Sequence, residues 1–169
     1  MPRPVLKLGA PALRQAAVPV EAVTPEIQAL VDEMVAVMYA ERGVGLAAPQ
    51  IGVGLRVFVV DVSGGRDRHA LKVCINPTWG ERDGMQLEEE GCLSVPGFSA
   101  TVARSEHAAV HALDRDGRPH TVVGQGLLAR ALQHEMDHLD GQLYVDRLRG
   151  LSRAMILRRV QKLERAGKW

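Results

Sequence analysis

The stretch "LARALQHEMDHLDGQLY" (residues 128–144) places His134 and His138 four positions apart, with Glu135 directly after the first. Apolar Leu127, Leu128, Ala131 and Leu132 surround its start and Gly141 follows its end. The segment therefore reads as a helix from about Gln125 to Leu139, stopped by the glycine. Residues i and i+4 share a helix face, close enough to share an ion. Glu135 is turned about 100° from His134, since a helix has roughly 3.6 residues per turn. From there it can lean over a metal as a base without coordinating it. A solvent-facing pair is the plainer alternative. The apolar neighbours argue instead for burial, and buried imidazoles need partners.

A catalytic ion needs a third protein ligand and an open position. In the extended protease form of the motif a third His lies six residues after the second, and here that position is Tyr144. In the other large protease class a downstream Glu serves, but the only Glu after Glu135 is Glu164, within an Arg- and Lys-rich helix that suits a solvated ion pair. The ligand is thus sought upstream. Cys74, in "LKVCINP", reads as a small buried hydrophobe on a strand. Cys92, between "EEEG" and "LSVPG", lies in a turn-rich segment from which a thiolate can project. It is the leading candidate, and a Cys-His-His set would bind zinc or ferrous iron.

Outward from this centre, the chain of 169 residues suits one compact domain over residues 1–169. Its composition, 46% hydrophobic and 24% charged, is that of a globular protein. A net charge of +1 excludes a dedicated nucleic-acid binder. No apolar run approaches the roughly 18 residues of a membrane span, and the start "MPRPVLKLGAP" is not a signal peptide. Two cysteines make no disulfide framework, so a reduced, cytoplasmic protein is expected. The proline-rich first 23 residues predict an extended arm with turns. Thr24-Pro25 predicts a capped helix start, followed by Ile27, Leu30, Val31, Met34, Val35 and Met38 at helical spacing, ending near Arg42-Gly43. "RVFVVDV" and "LKVCINP" predict strands, and short strands and turns fill the middle third. Asp116-Gly117 predicts a hairpin. A last helix, about Ser152 to Ala166, sets Ile156, Val160 and Leu163 on one face. The fold class is α+β. The glycine pattern of "GVGLAAPQ" suggests a dinucleotide loop only weakly, because it follows a helix and runs into Pro49. Its alternative is a stretch that lets a ligand's backbone approach while Gln50 presents an amide.

Three ordered segments, "GVGLAAPQ" (43–50), "EGCLS" (90–94) and "QHEMDH" (133–138), resemble the peptide deformylases. Those enzymes remove the formyl group from the initiator methionine of new bacterial proteins. The resemblance runs from "PVLKLGAPALR" to the last helix. It implies antiparallel β-sheets around a central helix carrying the His-Glu-x-x-His motif, with N-terminal and C-terminal helices. It further implies Cys92, His134 and His138 as metal ligands and Glu135 as general base and acid, acting on water activated at the metal. By the same resemblance, the Gln50 amide and the Leu93 backbone N–H would hydrogen-bond the formyl oxygen. Val44, Gly45 and Gly91 would meet the peptide, and Leu127 and Ala131 would wall the methionine pocket. Glu90 and Arg104 would pair behind the metal loop. The implied ion is Fe2+, with Zn2+, Ni2+ or Co2+ possible in purified protein. Glu88 and Arg130 stand where well-known members are commonly apolar, and an ion pair between them at the pocket rim is expected to alter side-chain preference.

From Arg147 to Trp169 there are eight Lys or Arg residues and one Glu. That basic helix is a solvated face or, as in related bacterial enzymes, a ribosome contact. The expected partners are N-formyl-Met nascent peptides, without DNA or membrane, and a monomer is expected. Two other readings compete: a peptide-cleaving metalloprotease, and a structural-metal module with Cys74 as a fourth ligand.

Overall fold

The computed structural model describes residues 2–169. Its first helix, α1 (Pro25–Ala40), starts where the sequence predicts, with Thr24 as N-cap accepting from the Ile27 N–H and proline in the first turn. It ends at Ala40, short of the expected Arg42-Gly43, because Arg42 turns into the left-handed region at φ 58°. Seven strands follow: β1 (Gly45–Ala47), β2 (Val57–Val60), β3 (Lys72–Asp83), β4 (Gln86–Gly91), β5 (Ser99–Arg104), β6 (His107–Leu113) and β7 (Pro119–Gln125). Two helices complete the chain, α2 (Leu127–Leu139) and α3 (Gly150–Arg165). Helix α2 begins two residues later than predicted, since Gln125 still belongs to β7. Helix α3 begins at Gly150 rather than Ser152.

The strands form an antiparallel five-stranded sheet in the order β1-β2-β3-β6-β7 and a separate ribbon of β4 and β5. The all-apolar run of β2 follows from its position, because a strand covered on both faces needs no polar alternation. Phe58 and Val60 pack with Leu132, Met136 and Leu139 of α2. Val57 and Val59 pack with Leu30, Val31, Met34 and Met38 of α1. Strand β3 is longer than the short strands expected, at 12 residues, and keeps its pairing with β6 through two register shifts. A turn at Asp114–Arg118 joins β6 to β7, as the Asp116-Gly117 pair predicts.

The N-terminal arm is extended with turns, one at Lys7–Ala10 and a 3-10 turn over Pro11–Arg14. It closes against Gly141, which sits at φ 76° just past α2 and where a Cβ would lie 2.7 Å from the Arg14 carbonyl oxygen. A third apolar cluster, with Leu13, Val95, Val102, Tyr144, Ile156 and Val160, seats the arm and α3 beside the ribbon. Leu163, placed with Ile156 and Val160 by the periodicity, is only half-buried. The architecture is α+β, with α2 in the middle.

Candidate metal centre and substrate cleft

Helix α2 is buried without interruption from Ala129 to Leu139, so its polar residues must find partners inside the protein. The i, i+4 spacing brings His134 Nε2 and His138 Nε2 to 3.2 Å. Cys92 follows directly on β4, and its Sγ lies 3.4 Å from His138 Nε2. The three donor atoms all fall within 4.8 Å of one another. His134 Nδ1 is 2.6 Å from Glu90 Oε2, and a carboxylate can only accept. The Nδ1–H is therefore the donor, which in the neutral ring leaves the Nε2 lone pair facing its neighbours. Three potential ligand atoms this close form a set that one cation could bridge. A thiolate and two imidazoles suit zinc or a divalent ion of iron, nickel or cobalt.

Burial raises the Glu135 carboxyl to about 7, and its Oε2 is buried with no protein partner. Glu135 reaches the centre because residue 45 is glycine: a Cβ there would lie 2.6 Å from Glu135 Oε1. At Gly43 a Cβ would lie 2.7 Å from Leu93 Cδ1. The glycines expected to admit a ligand thus first make room for the protein's own Leu93 and Glu135. Gln50, 1% exposed, is held at both ends of its amide. Oε1 accepts from the Ala47 N–H at 2.9 Å, and Nε2 donates to Ser94 Oγ at 3.1 Å, with Cys92 Sγ 3.7 Å away. Ser94 was not foreseen; its place two residues after Cys92 was the available signal.

These groups open onto a cleft of about 510 Å³. Val44, Gly45, Gln50, Gly91, Cys92 and Leu93 line it, together with Leu127, Arg130, Ala131, His134 and Glu135 of α2.

Glu90 pairs with Arg104, with Nη2 to Oε2 at 2.6 Å and Nε to Oε1 at 3.0 Å. Burial alone would raise the Glu90 carboxyl, but hydrogen bonds and charge from His134 and Arg104 hold it well below the carboxylate range. Arg104 Nη1 also reaches Asp137 Oδ2 at 2.7 Å, and Arg147 grips the same carboxylate through Nε and Nη2 at 2.6 and 2.7 Å. Nothing in the spacing of the motif marks Asp137 for this role. The ion pair expected between Glu88 and Arg130 is absent. Glu88 is exposed and does not line the cleft, whereas Arg130, 3% exposed, bonds Glu90 Oε1 at 2.7 Å, Gln86 Oε1 at 3.0 Å and the Val102 carbonyl at 2.7 Å. Glu88 can stay in water; a buried carboxylate cannot stay unpaired, so the guanidinium goes to Glu90.

The competing readings have no support in this geometry. Cys74 is fully buried among Phe58, Val60 and Val110, its thiol pushed up to about 12 by burial, and it stands outside the donor cluster. Tyr144 stacks 6.4 Å from the His134 ring and its hydroxyl has no protein partner. Glu164 lies beside Gly9, away from the cleft.

The family model described as polypeptide deformylase matches residues 2–154. A curated peptide deformylase from Acidobacterium capsulatum is 46% identical over 169 residues, covering 100% of this chain and 99% of that protein. The crystal structure of a peptide deformylase from Legionella pneumophila superposes with a TM-score of 0.92 at 46% identity, covering 99% of this chain and 98% of that one. One from Synechococcus elongatus, solved in complex with actinonin, gives 0.90 at 38% identity over 95% and 88%. With the fold, the ordered motifs and these relatives in agreement, the chain belongs to the polypeptide deformylase family and is an enzyme of that kind, a hydrolase of protein biosynthesis.

Proposed function

We propose that this deformylase removes the N-formyl group from the initiator formyl-methionine of nascent polypeptides, releasing formate, and that the chain works as one catalytic domain. The observation that carries the reading is the convergence of Cys92 Sγ, His134 Nε2 and His138 Nε2 beside a buried Glu135 with an unpartnered oxygen. Cys92, His134 and His138 would hold one divalent ion, Fe2+ in the cell. When bound, such an ion supplies Lewis acidity, lowering the pKa of water and polarising a carbonyl oxygen.

The remaining work falls to the protein. Glu135 takes the proton of the attacking water and returns it to the leaving amine. Its burial favours this, since a carboxyl raised to about 7 exchanges protons readily near neutral pH. The Gln50 Nε2–H2 and the Leu93 N–H donate to the formyl oxygen as it gains charge. Gln50 is suited to this because Ala47 and Ser94 fix its amide before substrate arrives. Gly45 opens β1, the outer strand of the five-stranded sheet with only β2 beside it, and Val44 directly precedes it; that edge is available to an extended peptide. Gly91 would meet the peptide from the other side, and Leu127 and Ala131 would wall the methionine side-chain pocket. A formyl carbon bears no side chain, so a tight site admits it and excludes internal peptide bonds.

The basic face of α3, with Arg158, Arg159 and Arg165 exposed, would suit ribosomal RNA near emerging chains. We read the protein as a cytoplasmic monomer without DNA or membrane partners. Among the described residues no helix is long and apolar enough to cross a membrane.

The test is formate release from a formyl-Met tripeptide by protein purified without oxygen and supplied with ferrous iron. Formate from this substrate, with an acetyl-capped peptide untouched, is the expected result. No formate from fully metallated protein would overturn the reading.

A further inference from the structure

We infer that Arg130 is a positioning residue for the metal centre, clamping the helix that carries His134 and His138 to the ribbon that delivers Cys92. The inference rests on the proposed ligand set. Its starting point is that the three donor atoms come from two separate pieces of structure. His134 and His138 belong to α2, whereas Cys92 leaves the end of β4. Whatever sets the spacing between α2 and the ribbon therefore sets the spacing of the donors.

Arg130 lies one turn before His134 on the same helix face. Its guanidinium bonds three acceptors, Gln86 and Glu90 on β4 and the Val102 carbonyl on β5. A planar fork with fixed N–H directions can satisfy all three only at one position of the helix against both strands. At the other end of the motif Arg104, on β5, reaches Asp137 on α2. His134 is thus flanked by two helix-to-ribbon clamps, and both run through the Glu90 carboxylate that receives its Nδ1–H. Arg104 can orient Glu90, but both residues lie on the ribbon, so that pair does not tie the ribbon to the helix. Without Arg130, the Gln86 and Val102 oxygens would lose a charged donor and the N-terminal half of α2 would be freer to move relative to Cys92.

The test uses Co2+ as probe. Wild type, Arg130→Met and Val31→Ala are loaded with Co2+ without oxygen, and the cobalt–thiolate absorption is followed as a chelator removes the ion, well below the unfolding temperature of each protein. Val31→Ala weakens the α1 core, away from the ribbon, and controls for lost stability. Arg130→Met is expected to hold Co2+ about 10- to 100-fold less tightly, as is usual when a partner behind a ligand is removed, while Val31→Ala stays with the wild type. Retention in Arg130→Met equal to either control overturns the inference. Should Arg130→Met fail to fold, Arg130→Lys keeps the charge without the fork, and an intermediate loss is expected; wild-type retention there overturns it equally. A wild type that takes up no Co2+ would sink the ligand set itself and the inference with it.

Discussion

Helices α1 and α2 pack on opposite faces of one sheet, yet they are buried in different ways. The buried positions of α1, Leu30, Val31, Met34, Val37 and Met38, are all apolar and recur at helical spacing, leaving a polar face to water. Helix α2 has no water face between Ala129 and Leu139, and Arg130, Gln133, His134, Glu135, Asp137 and His138 lie within that run. An apolar stripe needs only a surface of matching shape. A buried polar run needs partners: Arg130, Gln133, His134 and Asp137 find them in Gln86, Glu90, Arg104 and Ser105 on and beside the ribbon, while Glu135 Oε2 and His138 Nδ1 have no protein partner. One helix therefore holds the fold together, and the other spends stability on chemistry.

This contrast predicts different consequences for substitutions of similar size. Glu135→Gln removes the base while keeping its volume, and formate release should fall about 10²- to 10⁴-fold, with the unfolding temperature unchanged or raised because a buried ionisable group is gone. If activity stayed within tenfold of wild type, α2 would not be the catalytic helix described above. Met34→Ala should do the reverse. Urea unfolding should register a loss of about 2–5 kcal/mol, while formate release per folded molecule is unaffected; a selective loss of turnover would show that α1 is more than scaffold. Smallest of all is Tyr144→Phe. The hydroxyl has no protein partner, so its removal should change stability by about 1 kcal/mol or less. Metal content should also be unchanged. Metal loss in that variant would place Tyr144 among the ligands and restore the protease-like reading.

Legibility along the chain tracks the range of the forces involved. Thr24-Pro25 and the apolar spacing after it locate α1, because capping and amphipathicity are settled within a few residues. The His134–His138 pair and the lack of a downstream third ligand are equally local, and they sufficed to direct attention to Cys92. The β3–β6 pairing was underestimated because register shifts, which depend on the partner strand, carry it past Asn76 and Pro77. Arg130 bonds Glu90 and not the expected Glu88 for a related reason. Glu88, Glu89 and Glu90 are alike as letters, and only the packing of the ribbon against α2 selects Glu90 for burial.

The amino-acid order alone thus carries the α+β class, the helix with its two imidazoles, the thiol that completes them and the family they resemble, since each depends on spacing or on motif. Which carboxylate backs His134, how Gly45 admits Glu135, and how Ser94 holds the Gln50 amide depend on contacts between residues far apart in the chain. There the cost of burying an unpaired charge or amide, which no local pattern encodes, selects the partner.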